Sequence, residues 1–203
     1  MKFSIIIPAY NSAGYIEKAL QSIKQQTFTD YELIVVCDRC MDNTAEVVKP
    51  YADKILFTDY GNDGPPRQEG LDAAEGDWIL FMDDDDWWLH EYVLDLINKS
   101  LTDDIDVLCF GFIFKGVGYA PPLQRDHGRP VFWPAVWCKC YRRSLIADIG
   151  FRNVPVVKGN APDLDWTTRL TARDFRIGVL EQPLYYYNYM RPGSQTYQVE
   201  NGN

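Results

Sequence analysis

The chain has 203 residues, 46% of them hydrophobic and 24% charged, with 20 basic and 29 acidic side chains and a formal net charge of -9. That mix suits one globular domain. Its acidic balance excludes a protein that coats nucleic acid, because neutralising phosphates needs a basic face. An enzyme that meets phosphates through a divalent cation stays open. The longest apolar runs fall well short of the roughly 20 residues that span a bilayer. The run after Met1-Lys2 is too brief for a signal peptide. The expectation is a soluble, cytoplasmic protein with no transmembrane segment; peripheral association with the inner face of a membrane, and a homo-oligomer, stay open.

In chain order, the isoleucine-rich run 3–8 predicts a buried strand stopped by Pro8. Ile16, Ala19, Leu20 and Ile23 recur at i, i+3, i+4 and i+7, the stripe of an amphipathic helix beginning near Asn11 or Ser12. Residues 32–37 predict a second strand. Asn43-Thr44-Ala45-Glu46 has capping-box spacing and opens a helix closed near Pro50. Residues 54–58 predict a third strand, and Pro66 suits the first turn of a helix to about Ala74. Residues 78–82 predict a fourth strand, Val93, Ile97 and Leu101 mark a helix, and 107–112 predict a fifth strand. Beyond it, 116–134 reads as a long loop. Residues 163–173 suit a helix, and 177–180 and 185–189 suit two closing strands.

Strands separated by helices imply right-handed crossovers, a mainly parallel sheet and helices on both faces. Ligands of such sheets sit beyond the carboxyl ends of the strands. There the sequence places Ala9-Tyr10-Asn11, Asp38 and the run Asp83-Asp84-Asp85-Asp86. Were that run extended, Asp83 and Asp85 would share one face and Asp84 and Asp86 the other. Two carboxylates about 4 Å apart repel by roughly 4 kcal/mol at an effective dielectric near 20. Solvation, a proton or a hard cation such as Mg2+ or Mn2+ relieves that cost. A solvated turn capping the next helix is the plain alternative. Trp87 and Trp88 are read as core or as a platform for a sugar face.

Five cysteines without a secretory signal argue against a disulfide framework. Cys37-Asp38-Arg39-Cys40 has redox or zinc spacing, and Cys138-Lys139-Cys140 would supply two further thiolates. Because Cys37 continues the apolar run of its strand, the reading preferred is buried or half-buried thiols acting as small hydrophobes.

Four segments, in order, resemble family-2 inverting glycosyltransferases. Ile5-Ile6-Ile7-Pro8-Ala9-Tyr10-Asn11 is similar to the family's opening strand and turn. Glu32-Leu33-Ile34-Val35-Val36-Cys37-Asp38 with Asp42-Asn43-Thr44 resembles its second nucleotide-binding segment. Arg67, Gly70 and Ala74-Glu75-Gly76-Asp77 resemble the approach to its metal motif. Phe81-Met82-Asp83-Asp84-Asp85-Asp86-Trp87 resembles that motif. The resemblance implies a GT-A, Rossmann-like α/β fold spanning 1–203 as a single domain. Residues 1–112 would form its nucleotide- and metal-binding half, and 113–203 a smaller, irregular acceptor-side half.

By the same resemblance, the chain moves a sugar from a nucleotide-diphosphate sugar, most simply a UDP-sugar, to a hydroxyl on a glycan or lipid-linked acceptor, as in surface polysaccharide synthesis. Pro8, Ala9 and Tyr10 would line the base and ribose, Asp38 would accept from the base, and Arg67 would stand near the diphosphate. Asp83 and Asp84 would serve the nucleotide-sugar, and Asp85 and Asp86 would hold Mn2+ or Mg2+. Asp163 matches the general base, with Asp165 its substitute. Trp137, Asp165 and Trp166 would stand on the acceptor side. Arg191-Pro192-Gly193-Ser194 resembles a segment that closes over the diphosphate, and the sequence ends soon after it. Cys37, Gln68-Glu69 and Pro162 depart from the family pattern, which leaves a non-catalytic nucleotide-sugar binder as the alternative. A nucleotidyltransferase would need a glycine-rich basic phosphate loop, which Tyr10-Asn11-Ser12-Ala13-Gly14 lacks.

Overall fold

A computed structural model describes residues 1–127, 129–155 and 161–192. The first half is a regular alternation: β1 (Phe3–Ala9), α1 (Ile16–Lys24), β2 (Tyr31–Asp38), α2 (Thr44–Val48), β3 (Lys54–Thr58), α3 (Gly64–Asp72) and β4 (Trp78–Phe81). There follow β5 (Trp87–Trp88), α4 (Val93–Ser100), β6 (Val107–Phe114), β7 (Gly118–Ala120), β8 (Gln124–Asp126) and β9 (Arg129–Val131). The last elements are β10 (Lys139–Arg142), α5 (Arg143–Ile146), α6 (Pro162–Thr171) and β11 (Ile177–Tyr187).

Among the described residues, the main sheet has the order β3-β2-β1-β4-β10-β6-β11-β5, with β7 added against β6. β1 pairs in parallel with both β2 and β4, and β2 with β3. β10 runs antiparallel to both β4 and β6, and β11 is parallel to β6. The carboxyl ends of β1, β2 and β4 therefore lie along one edge, as the crossover argument requires.

Two apolar layers follow from the period of two in β1 and β2. Ile5, Ile7, Leu33 and Val35 face α1 and α4, packing on Ile16, Leu20, Val93 and Ile97. Ile6, Ile34 and Val36 face the other way, in the layer containing Leu71 of α3 and Trp166 and Leu170 of α6. Each fully buried isoleucine contributes about 2–3 kcal/mol of transfer free energy, so both faces of the central strands hold helices. Helix and strand approach closely at Gly70, where a Cβ would stand 2.4 Å from Ile6 Cγ2. That contact seats α3 on β1 and sets the height of Arg67, one turn earlier.

The structure revises several local expectations. α1 starts at Ile16, since the amides of Tyr15 and Ile16 both donate to Ser12 O and make a separate turn first. Asn43 caps α2 without a side-chain bond; Asp42 Oδ1 accepts the Thr44 amide instead, at 3.0 Å. The long loop contains three short strands, β7, β8 and β9. The two closing strands are one strand, β11, whose register shifts around Pro183, where proline has no amide to donate. Among the described residues, no helix is long and apolar enough to cross a membrane.

Candidate active site

Asp38 ends β2 with only 4% of its surface exposed. Its Oδ1 accepts from Thr58 Oγ1 at 2.9 Å and from the Tyr60 amide at 2.7 Å, and its Oδ2 accepts the Gly61 amide at 2.6 Å. One carboxylate thus anchors the segment after β3. A carboxylate offers about four lone-pair sites, and three are taken. Pro8 and Ala9 are buried at the end of β1, while Tyr10 is 58% exposed beside them.

Residues 83–86 form a turn and not an extended run, because the Asp86 amide donates to Asp83 O at 3.3 Å. Alternation of faces is lost, and each carboxylate finds its own partners. Asp84 Oδ2 accepts the Tyr10 amide at 3.2 Å, tying the ends of β1 and β4. Asp85 Oδ2 accepts from Arg191 Nε at 2.6 Å, and that guanidinium lies 3.9 Å over the Tyr15 ring. Beside Asp85 opens a cavity of about 400 Å3, lined in part by Gly14, Tyr15, Lys18, Trp87 and Asn188.

Asp86 is fully buried. Its Oδ2 accepts from the Tyr185 hydroxyl at 2.7 Å and its Oδ1 from the Asn188 amide at 2.7 Å. Tyr185 also accepts the Asp83 amide, at 3.1 Å. Each oxygen of Asp86 thus accepts one bond from β11 or from the residue that follows it, and the side chain pins β11 beneath the turn. Burial first, then Asp83 and Asp85, push its carboxyl well above the usual range.

Arg67 joins the two halves. Nη2 meets Asp83 Oδ1 at 2.6 Å, Nη1 pairs with Asp63 Oδ2, and Nη1 lies 3.7 Å from Asp163 Oδ1. Its side chain is 3% exposed. Burying a guanidinium without partners costs several kcal/mol, and three aspartates offset that here. Asp163, at the start of α6, is held by the Val136 amide on Oδ2 at 3.1 Å, while its buried Oδ1 makes no hydrogen bond among the described residues. Burial raises Asp163, opposed by Arg67. Asp83 is raised likewise by burial, against the pull of Arg67.

The remaining acceptor-side residues divide. Trp137 is 4% exposed and stacks on Tyr185 with centroids 4.7 Å apart. Trp166 has no exposed surface and stacks on Phe151 at 4.9 Å, behind the wall that α6 presents. Asp165 turns to Arg169 Nη2 at 2.6 Å and lies 3.7 Å from Arg152, whereas Asp163 alone of the pair reaches Arg67. Trp87 carries Tyr186 stacked at 4.2 Å and the Lys18 ammonium 3.1 Å from its centroid, so cation and ring cover the platform face expected of it. Gly193 and Ser194 lie outside the described residues.

Two departures from the family pattern have local explanations. Pro162 occupies the first turn of α6, where its missing amide costs nothing. Glu69 accepts the Tyr60 hydroxyl at 2.7 Å, which gives its charge a partner.

Sequence reasoning missed Asp63, Tyr185 and Lys139 as parts of the site. Asp63 stands four residues before Arg67, helical pairing distance, and that spacing was the available signal. Tyr185 carried only the alternation of a strand. Lys139 is fully buried, donating to Trp133 O at 2.8 Å and Ala135 O at 2.5 Å, and so holds the loop whose Val136 amide meets Asp163.

Among the described residues, no three His, Cys, Asp or Glu side chains form a ready-made metal cage. The donor chemistry nevertheless fits a hard dication that arrives with phosphates, which characteristically takes one or two carboxylates from the protein. Burial, then Asp85, push Asp84 up to about 7, and that crowding is what a dication relieves. Asp85, with Asp84 beside it, is the donor set that fits.

The mainly parallel sheet, with carboxylates gathered at the carboxyl ends of β1, β2 and β4, defines an α/β protein with an acidic edge-of-sheet site. Residues 4–174 match the model of glycosyl transferase family 2, and the chain belongs to that family. It is 32% identical to poly(ribitol-phosphate) beta-N-acetylglucosaminyltransferase TarS of Staphylococcus aureus over 210 residues, covering 95% of this chain and 36% of the relative. It is 29% identical to the uncharacterized glycosyltransferase YibD of Escherichia coli, over 92% of this chain and 61% of that one. The chain thus spans about a third of the first relative's length. The crystal structure of S. aureus TarS 1-349 in complex with UDP-GlcNAc superposes with a TM-score of 0.82 at 29% identity, covering 97% of this chain and 61% of that one. The Mannosyltransferase PcManGT of Pyrobaculum calidifontis, in complex with GDP-Man and Mn2+, shares the fold at a TM-score of 0.74 and 16% identity.

Proposed function

We propose that this chain transfers a sugar from a UDP-sugar to a hydroxyl of a glycan or lipid-linked acceptor, with inversion at the anomeric carbon, in the synthesis of a surface polymer. One observation carries the reading: a single buried guanidinium, Arg67, touches Asp83 at the donor edge and faces Asp163 on the acceptor side. Relatives named as glycosyltransferases and a neighbour bound to UDP-GlcNAc support the donor class. In this reading residues 1–112 bind donor and 113–203 receive acceptor.

Pro8, Ala9 and Tyr10 wall the base and ribose, and the fourth lone-pair site of Asp38 accepts a nucleobase N–H. Asp83 and Asp84 face the nucleotide-sugar. Asp85 holds Mn2+ or Mg2+, which when bound neutralises diphosphate charge. Asp163 Oδ1 accepts the proton of the acceptor hydroxyl as its oxygen bonds to the anomeric carbon and the bond to the diphosphate breaks. The Val136 amide keeps Oδ2 occupied, so Oδ1 is the oxygen that works. Arg67 balances the charge that collects on both sides.

The test is titration of the chain with UDP, with Mn2+ and then with EDTA, followed by melting temperature. At 100 times its dissociation constant a ligand of the native state stabilises by about 2.7 kcal/mol. UDP with Mn2+ is expected to raise the melting temperature and EDTA to remove most of the gain; no shift with any nucleoside diphosphate overturns the reading.

A further inference from the structure

The Cys37/Cys40 pair has no part in the transfer chemistry above, yet it sits directly behind Asp38. Cys37 is 1% exposed on β2, in register with Ala9 of β1 and Phe57 of β3. Cys40 is half-buried on the turn that follows. Both side chains belong to one apolar layer, Cys37 within it and Cys40 packed against it beside Ala9. As a thiol, Cys40 donates to Ala9 O at 3.3 Å. Between them Arg39 is left-handed, with φ 52°. Such a backbone costs a side-chain-bearing residue roughly 1–2 kcal/mol, and it turns the chain sharply between the two cysteines.

We propose that Cys37 and Cys40 form a reversible dithiol–disulfide switch, which exchanges with small-molecule disulfides and, when oxidised, loosens the Asp38 turn. The Cys40 thiolate attacks one sulfur of the small disulfide RSSR, forming a mixed disulfide and releasing RS–. The Cys37 thiol then gives its proton to that RS– and attacks the Cys40 sulfur, releasing the second RS–, which takes a proton from solvent. Two protein thiols become one disulfide and RSSR becomes two RSH; the proton that ionised Cys40 balances the last. The order follows from the environment. The neighbouring Cys37 lowers Cys40 to about 7, while Cys40 and then burial push the Cys37 thiol up, and only Cys40 is part-exposed. Forming the mixed disulfide removes that restraint on Cys37.

Closure brings the sulfurs to about 2.05 Å. Cys37 is clamped between two strands, so Cys40 must move. It leaves Ala9 O and pulls on Met41, whose amide donates to Asn11 Oδ1 at 2.8 Å. Asp38 lies within the closing ring, and its bonds to Thr58, Tyr60 and Gly61 loosen. The consequence for nucleotide affinity rests on the donor reading given above; the switch itself does not. Cys109, Cys138 and Cys140 are buried, with Cys109 pushed up to about 12 by burial, and serve as unreactive internal references.

The experiment exposes the reduced full chain to glutathione disulfide. Thiols are counted by alkylation, the linkage is mapped by mass spectrometry, and amide exchange is followed at Tyr60 and Gly61. Expected are loss of two of the five free thiols through a bond between 37 and 40, about tenfold faster exchange at both amides and about tenfold weaker UDP binding, all reversed by dithiothreitol. Cys40→Ser is expected to bind UDP as the reduced chain does and to ignore the disulfide; should it fold poorly, Cys37→Ala provides the same readout. Thiols 37 and 40 that persist, a glutathione adduct that never resolves, or an oxidised chain with unchanged exchange each overturn the proposal. If the reduced chain binds no nucleoside diphosphate, the donor reading fails, while linkage and exchange still decide the switch.

Discussion

The two carboxyl-edge regions of the molecule differ in where the partners of their buried charges come from. At Asp38 the charge is met by a hydroxyl and two backbone amides from one neighbouring segment. At residues 83–86 and 163 the amides of Tyr10, Asn188 and Val136 are joined by charged and polar side chains from distant parts of the chain: Arg67, Arg191 and Tyr185. Amide dipoles are built in once the strands pair. The second region exists only after both halves have docked, and there the carboxyl groups of Asp83, Asp84, Asp86 and Asp163 are all raised. A region assembled by docking is where proton affinity is tunable, which suits acid–base chemistry.

The most severe test of that contrast is Asp163→Asn. Transfer is expected to fall about 100- to 10,000-fold while UDP affinity is retained, measured as kcat beside a UDP titration. In the parent protein the raised Asp163 implies that kcat falls with decreasing pH through an apparent pKa above the ordinary carboxylate value of about 4. Asp85 and Asp86 should then separate. Asp85→Ala should weaken Mn2+-supported UDP binding by about tenfold or more with little change in melting temperature. Asp86→Ala leaves the Tyr185 hydroxyl and Asn188 amide unpaired and should cost about 1–3 kcal/mol of stability in urea unfolding. Equal loss of UDP binding in the two variants at unchanged stability would erase the distinction.

Gly70→Ala probes the regular half. Its Cβ would meet Ile6 at 2.4 Å, and overpacking should cost about 1–3 kcal/mol, read as a lower urea midpoint at unchanged slope. The smallest effect lies far from the site, at Asp106, which accepts from Arg176 Nη2 at 2.8 Å and Arg142 Nε at 3.2 Å. Arg176, then Arg142, hold its carboxyl well below the usual range. A lowered folded-state pKa gives stability present above the unfolded value and lost as pH falls toward the folded one. Asp106→Asn should therefore cost about 1 kcal/mol at neutral pH and flatten the loss of stability below about pH 4.

Much of the first half was legible because its signals are local. Residues 54–58 were read as a strand and are β3, and the isoleucines of β1 and the stripe of α1 announce their buried faces through periods of two and 3.6. The crossover rule brings the ends of β1, β2 and β4 to one edge. The second half was less legible. Short strands such as β7 and β9 are fixed by what they pair with, and β11 reads as two strands because Pro183 interrupts its ladder.

By itself, then, the sequence determined the family, the sheet edge and the residue types gathered there, since periodicity and turn chemistry act over a few residues. Only the tertiary structure decided which partner each aspartate meets. Asp83, Asp84, Asp85 and Asp86 are the same side chain four times over, and partners distant in the chain distinguish them: Arg67, the Tyr10 amide, Arg191, and Tyr185 with Asn188. A carboxylate's role is set by the dipoles and charges around it, and those assemble only when the chain has closed on itself.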